Sequence, residues 1–238
     1  MGQTYYHICD NQFNEAFDKV KLLARYPWVG SNYANNDYHL LIIGDSHYAV
    51  DKNGAFSQPA YDEFKDKNST RSVINWVIND ICTKNSTWNM FNGLLKMFNK
   101  DKPNSVVSFF SNVAYYNFVQ EVMRSSHQKP SEDDFAKAWE CFYDFTDVLK
   151  PDFCLFIGVR SETNIRRVKA LGGCYEIKDD IEKINRTRPR YGKVGKSSES
   201  KIPFIAIKHT SKYFSPEKWR KYLMYKEPDL RRFFNSDI

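Results

Sequence analysis

A short stretch around residue 45 combines several side chains that could do chemistry. The apolar residues 40–43 end in Gly44, and the polar side chains that follow it are Asp45, Ser46, His47 and Tyr48. A short, fully apolar run is typical of a buried parallel strand, and open α/β sheets bind ligands just beyond the carboxyl ends of such strands. An acid, a hydroxyl, an imidazole and a phenol at that point predict a reaction centre.

Two further predicted strands also end in polar side chains. The sequence predicts a strand over 105–111 that ends at Asn112, and another over 203–208 that is followed by His209 and Ser211. The carboxyl ends of parallel strands share one edge of a sheet. A carboxylate, an amide and an imidazole are therefore expected to meet at that edge.

The elements that position these groups alternate between strands and helices. Strands are predicted over 39–44, 105–111, 153–157 and 203–208, and helices over 70–82 and 88–99, after Ser131 and after Ser215. This alternation predicts an α/β fold with three α/β/α layers around a central, mainly parallel sheet of about four strands. Residues 1–238 are expected to form a single domain, with a basic flexible loop at about 183–201.

The composition favours a globular protein with a polyanionic partner. Of the 238 residues, 42% are hydrophobic and 27% are charged, and the formal net charge is +6. The five cysteines have neither metal-ligand nor disulfide-framework spacing, so we expect reduced thiols and no metal. No apolar run reaches the roughly 18 residues of a membrane span, and the N-terminus lacks the pattern of a secretion signal. We therefore expect a cytoplasmic monomer with no membrane partner.

The order and spacing of these motifs resemble the uracil-DNA glycosylase-like superfamily from residue 39 to about 222. The first strand of that superfamily leads into a motif such as Gly-Gln-Asp-Pro-Tyr, and residues 44–48 occupy this position, with Gly44 and Tyr48 matching. The next strand carries an asparagine, to which Asn112 corresponds. Residues 150–158 resemble its Lys-Pro-acid stretch and the apolar strand that follows. Residues 209–211 resemble the His-Pro-Ser motif of its last strand.

The resemblance implies a DNA glycosylase that hydrolyses the N-glycosidic bond of a flipped-out uracil or modified base, without a cofactor. Asp45 would stabilise the sugar cation and orient a water molecule, and His209 would donate a hydrogen bond to the leaving base. The implied base contacts are those of Tyr48, Phe56 and Asn112, and the implied DNA contacts are those of Arg160, Ser211, Lys212 and Tyr213. The basic 183–201 region would add phosphate contacts.

Three positions depart from the pattern of the superfamily. Ser46 stands where the usual catalytic aspartate is, so the acid of this chain is Asp45, one position earlier. His47 replaces a proline and could supply a proton, and Thr210 replaces the proline of the last motif. A nucleic-acid-binding protein of the same fold that lacks catalytic activity therefore remains open.

The second alternative is a serine esterase of the SGNH type, which Gly44-Asp45-Ser46 resembles. Ser46 would be its nucleophile, Asn112 its oxyanion donor and His209 its base. That family has an aspartate three residues before the histidine, and this chain has Ala206 there. The two alternatives predict different reactivity: labelling of Ser46 by a fluorophosphonate for the esterase, and salt-sensitive DNA binding without product for the inactive binder.

Overall fold

A mixed sheet of seven strands forms the centre of the protein. The computed structural model describes residues 4–83, 89–158, 174–211 and 213–234. The strands of this part are β1 (Trp28–Val29), β2 (Leu40–Tyr48), β3 (Ala114–Met123), β4 (Phe153–Ile157), β5 (Cys174–Asp179), β6 (Arg190–Gly195) and β7 (Ile202–Ile207). Their order across the sheet is β1-β3-β2-β4-β7-β6-β5.

The four strands at the centre of the sheet run parallel to one another. β2 pairs with β3 and β4, and β4 pairs with β7. The pairs β1–β3, β6–β7 and β5–β6 are antiparallel. The predicted α/β class is confirmed, but the predicted sheet of about four mainly parallel strands is wrong, because antiparallel strands extend it on both sides.

The strands β5 and β6 account for most of this difference. Residues 190–195, predicted to lie in a flexible loop, form β6. Tyr175, Ile177 and Val194 pack against the core, whereas Lys178 and Lys193 are exposed. One buried face is enough for a strand at the side of a sheet, and lysines there prevent pairing with another chain. Buried and exposed residues therefore alternate along β5 and β6, but the high content of charged residues favoured a loop prediction.

Helices cover both faces of the sheet. They are α1 (Asn14–Phe17), α2 (Gln58–Glu63), α3 (Ser69–Cys82), α4 (Asn89–Phe98), α5 (Pro103–Asn112), α6 (Glu132–Leu149), α7 (Pro216–Lys226) and α8 (Arg231–Phe234). Helices α3, α4, α5 and α7 pack on one face with Leu40 and Ile42, and helices α1 and α6 pack on the other with Leu41 and Ile43. Both faces of β2 are therefore buried, as its apolar sequence predicts.

The predicted helices are confirmed, but one predicted strand that affects the site is wrong. Helices α3 and α4 match the ranges 70–82 and 88–99, and α6 begins after Ser131, whose Oγ accepts a hydrogen bond from the Asp134 amide at 3.1 Å. The strand predicted over 105–111 is wrong, because these residues belong to α5. Pro103 fits the first turn of that helix, and Val106 and Phe110 are buried at helical spacing.

No helix among the described residues is both long and apolar enough to cross a membrane.

Candidate active site at the edge of the parallel strands

The strand register brings Asp45 and His209 to the same edge of the sheet. Ile43 of β2 lies beside Phe156 of β4, and Phe156 lies beside Ala206 of β7. Asp45 follows this row by two residues and His209 by three. Because adjacent strands are about 4.8 Å apart, roughly 10 Å separates β2 from β7 across β4.

The topology of the sheet identifies the same position as a ligand site. From β2 the chain continues to β3 on one side, and it later forms β4 and β7 on the other side. The order of the strands therefore reverses between β2 and β4. In open α/β sheets, ligands bind in the crevice at the carboxyl ends of the two strands that flank such a reversal. Gly158 follows the end of β4, and β2 continues beyond its last pairing with β4, at Ile43, through Asp45 to Tyr48.

The predicted recognition residue Asn112 does not lie at this edge of a strand. It is the last residue of α5, where its Nδ2 donates to the Ser108 carbonyl oxygen at 2.7 Å. Its own carbonyl oxygen accepts a hydrogen bond from the Asn36 side chain at 2.9 Å. The prediction that Asn112 ends a strand beside Asp45 is therefore wrong, because the residues before it form a helix.

Asn117 on β3 occupies the position that the sequence analysis assigned to Asn112. It pairs with Gly44 across β2 and β3, and it is buried. Its Oδ1 accepts a hydrogen bond from the Tyr115 hydroxyl at 2.9 Å, and its Nδ2 lies 3.1 Å from both ring nitrogens of His47. A polar amide within the apolar run 114–119 was the available signal, because an amide is buried only at a cost unless it has partners.

The Asn117 amide is held from two sides and keeps part of its bonding capacity. An amide nitrogen can only donate, so it bonds to the ring nitrogen of His47 that carries no proton. The Tyr115 hydroxyl occupies one lone pair of Oδ1, which leaves one lone pair of Oδ1 and one N–H of Nδ2 for another group. Asn117 is therefore a preorganised donor–acceptor pair.

His47 is a buried support of this amide. Its Nε2 lies 3.2 Å from Thr70 Oγ1, and its ring is 4.8 Å from the ring of Phe64. Burial, with a smaller contribution from the charge of Arg25, lowers the pKa of His47 to about 3. The imidazole is therefore neutral at physiological pH and acts on Asn117 as an acceptor. The predicted catalytic contribution of His47 stays a prediction, and positioning is the role that its contacts support.

A bulge in β3 explains why His47 reaches the asparagine. Ser46 pairs with Val119, but the next residue of β2, His47, pairs with Val122. The two additional residues of β3 are held by Arg25, whose backbone amide donates to Gln120 Oε1 at 3.2 Å and whose Nη1 donates to the Gln120 carbonyl oxygen. Bulges of this kind redirect side chains and are frequent beside active sites.

Asp45 and Ser46 lie just before this bulge, and both are partly buried. Burial raises the pKa of the Tyr115 hydroxyl above its usual value, and the nearby charge of Asp45 raises it further. The Asp45 carboxylate therefore lies within electrostatic range of the hydroxyl that holds Asn117. Ser46 Oγ is a buried atom without a hydrogen-bond partner among the described residues.

His209 follows β7 in a loop that is tied to α4. Its Nδ1 is 2.8 Å from Ser211 Oγ and 3.3 Å from the Ser211 backbone nitrogen. A backbone N–H can only donate, so Nδ1 accepts and the proton of the neutral ring is on Nε2. Thr210 Oγ1 donates to the Met90 carbonyl oxygen at 2.6 Å and fixes the loop. Nε2 of His209 is thus a hydrogen-bond donor at the edge of the sheet.

The remaining predicted residues lie around this centre at different depths. Tyr48 is partly buried and packs against the core on the α6 side of the sheet, and its hydroxyl is 3.5 Å from the Gln128 carbonyl oxygen. Phe56 is half-exposed in the loop after β2, with the Arg124 guanidinium 5.6 Å from its ring centroid. Ser211 and Tyr213 are exposed. Arg160 and Lys212, both predicted to contact DNA, lie outside the described residues.

Gly44 gives a direct test of this geometry, because any side chain there meets the amide and the phenol. A Cβ at position 44 would lie 2.2 Å from Asn117 Oδ1 and 2.4 Å from the Tyr115 hydroxyl oxygen. Both groups are buried and hydrogen-bonded, so we expect Gly44→Ala to lower the free energy of unfolding by about 1–3 kcal/mol. Urea denaturation measures this change.

The matched control adds Tyr115→Phe, which removes one of the two colliding oxygens. The double variant Gly44→Ala/Tyr115→Phe should lose less stability than the sum of the two single variants. Strict additivity, or a Gly44→Ala protein as stable as the wild type, would contradict the packing of these three residues.

Among the described residues, no group of three or more His, Cys, Asp or Glu side chains is arranged to hold a metal ion. The edge of the sheet therefore offers hydrogen-bond donors, an amide and a carboxylate as its reactive groups. Comparison of the chain with known family models and with curated proteins gives no match.

Proposed function

We propose that this protein is a DNA glycosylase with a uracil-DNA glycosylase-like fold, which hydrolyses the N-glycosidic bond of a base rotated out of a DNA strand. The observation that carries the proposal is the pairing of Gly44 with Asn117, which sets a buried, oriented amide one register position from Asp45. His209 at the same edge, across β4, adds the third group. An amide, a carboxylate and a hydrogen-bond donor at one edge of the sheet suit the recognition and release of a nucleobase.

Each group has a distinct task in this reaction. As the bond between C1′ and the base nitrogen breaks, its electron pair goes to the base and positive charge develops on the sugar. The Asp45 carboxylate stabilises that charge and orients the water whose oxygen bonds to C1′. The Nε2–H of His209 stabilises the negative charge on an oxygen of the leaving base. The base finally takes up the proton that the water releases.

The fixed orientation of Asn117 supports a role in choosing the base. Its free N–H and lone pair form a donor–acceptor pair that suits a base edge with an adjacent acceptor and donor. Rotating the amide by 180° would break its bonds to Tyr115 and to His47. The site therefore favours one order of donor and acceptor on the base. A base with the reversed order would leave buried polar groups unpaired.

The esterase alternative loses support from the same geometry. Asn112, its oxyanion donor, belongs to α5 and uses its amide within that helix. Ala206 is buried in β7, so no acid orients His209 from that position. Ser46 Oγ has no hydrogen-bond partner among the described residues that would act as its base.

The experiment that tests the proposal is a screen for abasic product. Labelled oligonucleotides, each with one uracil, hypoxanthine, xanthine or alkylated base, are incubated with the protein and then cleaved with alkali. We expect strand cleavage at one class of modified base, and no cleavage with Asp45→Asn. Binding to the same oligonucleotides without cleavage of any of them would favour the inactive nucleic-acid binder and contradict the proposed activity.

A further inference from the structure

The connection between β5 and β6 is an ordered hairpin whose tip contacts the loop that carries His209. Ile184 and Thr187 exchange backbone hydrogen bonds of 2.8 and 3.0 Å. The two residues between them, Asn185 and Arg186, have φ angles of +51° and +65°. Two consecutive left-handed residues are typical of a tight hairpin turn, and asparagine tolerates this conformation well. The basic segment predicted to be flexible therefore has a defined turn.

Two hydrogen bonds attach this tip to the end of β7 and the start of α7. Lys208 Nζ donates to the Asn185 carbonyl oxygen at 3.3 Å, and the Ser215 backbone amide donates to Asn185 Oδ1 at 3.2 Å. Ile184 also packs against the core on the α7 side of the sheet. Lys208 and Ser215, which flank His209 along the chain, thus hold the hairpin tip in place.

The cations of the hairpin tip remain available for a ligand. Lys183, Arg186 and Arg188 are exposed, and no described residue forms an ion pair with any of them. Glu182 is the one exposed carboxylate within residues 181–188. The acids at the base of the hairpin are engaged, since Asp179 pairs with Arg190 and Asp180 pairs with Lys226.

Tyr213 presents an aromatic ring beside Lys208, which also contacts the hairpin tip. Its side chain is 88% exposed, its φ angle is +51°, and Lys208 Nζ lies 5.8 Å from its ring centroid. Lys208 therefore touches both the hairpin tip and the tyrosine ring. An exposed ring stacks most readily on an unpaired base, because insertion into a duplex first requires neighbouring base pairs to be unstacked.

We propose that the hairpin tip (183–188), Lys208 and Tyr213 together bind single-stranded nucleic acid, with Lys183, Arg186 and Arg188 on its phosphates and Tyr213 stacked on a base. Cations along a backbone combined with an exposed aromatic ring are the usual elements of single-strand binding. The inference rests on the proposed function for its choice of a nucleic-acid ligand. It assigns the strand that is bound, and binding can be measured without base release.

Fluorescence anisotropy with a labelled, unmodified 20-mer tests the surface. Replacing the three cations (Lys183→Gln, Arg186→Asn, Arg188→Gln) should reduce the slope of log affinity against log salt by about 2, because each phosphate contact contributes roughly 0.7 on a single strand. Asparagine is used at position 186 because it tolerates the left-handed backbone. The control replaces three exposed lysines elsewhere with glutamine, Lys19, Lys129 and Lys137, and should leave the slope nearly unchanged.

Two single variants test the stacking of Tyr213 and the attachment of the hairpin tip without changing any charge. Tyr213→Ala should weaken single-strand binding by about fivefold to a hundredfold, whereas Tyr225→Ala, which removes another exposed tyrosine, should not. Asn185→Gly preserves the left-handed turn and all charges but removes the bond to Ser215. Glycine at that position should therefore weaken binding several-fold through loss of attachment.

The outcomes distinguish this inference from the proposed function. Equal effects of the hairpin and control variants, or tighter binding of the matching duplex than of the single strand, would overturn the inference even if abasic product forms. Single-strand binding that responds to these variants, without abasic product from any modified base, would support the inference and contradict the proposed activity.

Discussion

Asp45→Asn is expected to lower the rate of base release by a factor on the order of 100 or more, since the neutral amide cannot stabilise the developing sugar cation. Asparagine has nearly the shape of aspartate, so the fold and DNA binding should change little. Single-turnover cleavage of the substrate found in the screen measures the rate. Thermal unfolding of the variant checks that the loss does not arise from instability.

Two matched variants make this result specific. Asp144→Asn removes a partly buried carboxylate of α6 that pairs with Lys196, and it should keep the full rate. Ser46→Ala removes the hydroxyl next to Asp45 and should also keep most of the rate, because water is the nucleophile in the proposed reaction. A Ser46→Ala variant without activity, together with an active Asp45→Asn variant, would contradict the assignment of the acid.

The strand that carries Asp45 was predictable from the sequence, but its length was not. The apolar run 40–43 predicted a buried strand, which is confirmed, whereas the turn predicted at Gly44 is wrong because β2 continues to Tyr48. The same reasoning applies to 203–208 and His209. In both cases the strand that positions the side chain, of Asp45 or of His209, ends within a few residues of that side chain. Tertiary packing therefore has little freedom to move the side chain.

The position of the asparagine was not predictable in this way. The run 105–111 contains β-branched and aromatic residues that suit a strand, but packing against the sheet selects a helix there. The strand that follows is longer than its apolar run suggests, and its asparagine lies in its middle. Only the pairing of β2 with β3 reveals that Asn117 faces Gly44, and pairing is a long-range property.

The antiparallel side of the sheet was missed for a related reason. Strands β5 and β6 are stabilised on one face, and their charged residues face solvent. Composition therefore indicated a basic loop. The turn residues Asn185 and Arg186 carry a weak signal for a hairpin, because arginine rarely adopts a left-handed backbone. The contacts with Lys208 and Ser215, which hold the tip in place, come from a distant part of the chain.

His47 gives a prediction that does not depend on the proposed activity. Its pKa is lowered to about 3 in the folded protein, first by burial and then by the charge of Arg25, whereas an unfolded chain has a histidine pKa near 6.5. Between these values the unfolded chain binds a proton that the folded protein does not bind. Acidification below about pH 6.5 therefore favours unfolding, by about 1.4 kcal/mol per pH unit from this residue.

The physical reason lies in the contacts of the ring. A protonated His47 would have two N–H donors, and the Asn117 amide nitrogen beside it can only donate. Protonation therefore removes the acceptor that holds Asn117, in addition to burying a charge. Protonation of His47 should also release the Asn117 amide that the proposed function uses for base recognition. Because the same protonation destabilises the fold, binding of the base should weaken only at a pH at which the folded protein itself becomes unstable.

The measurement compares wild-type protein with His47→Gln by urea denaturation between pH 5 and pH 7. Glutamine does not titrate, so the variant should be less stable at pH 7 but should lose the part of the pH dependence that His47 contributes. Burial raises the pKa of Glu227, so protonation of this residue at low pH stabilises the folded protein, opposite to the effect of His47. Its contribution to the pH dependence cancels in the comparison, because both proteins contain it. In His127→Gln, which changes an exposed histidine, the wild-type slope should persist. If the free energies of unfolding of wild type and His47→Gln remain parallel across this range, His47 is not buried as a neutral ring, and the support that it gives to Asn117 must be rejected.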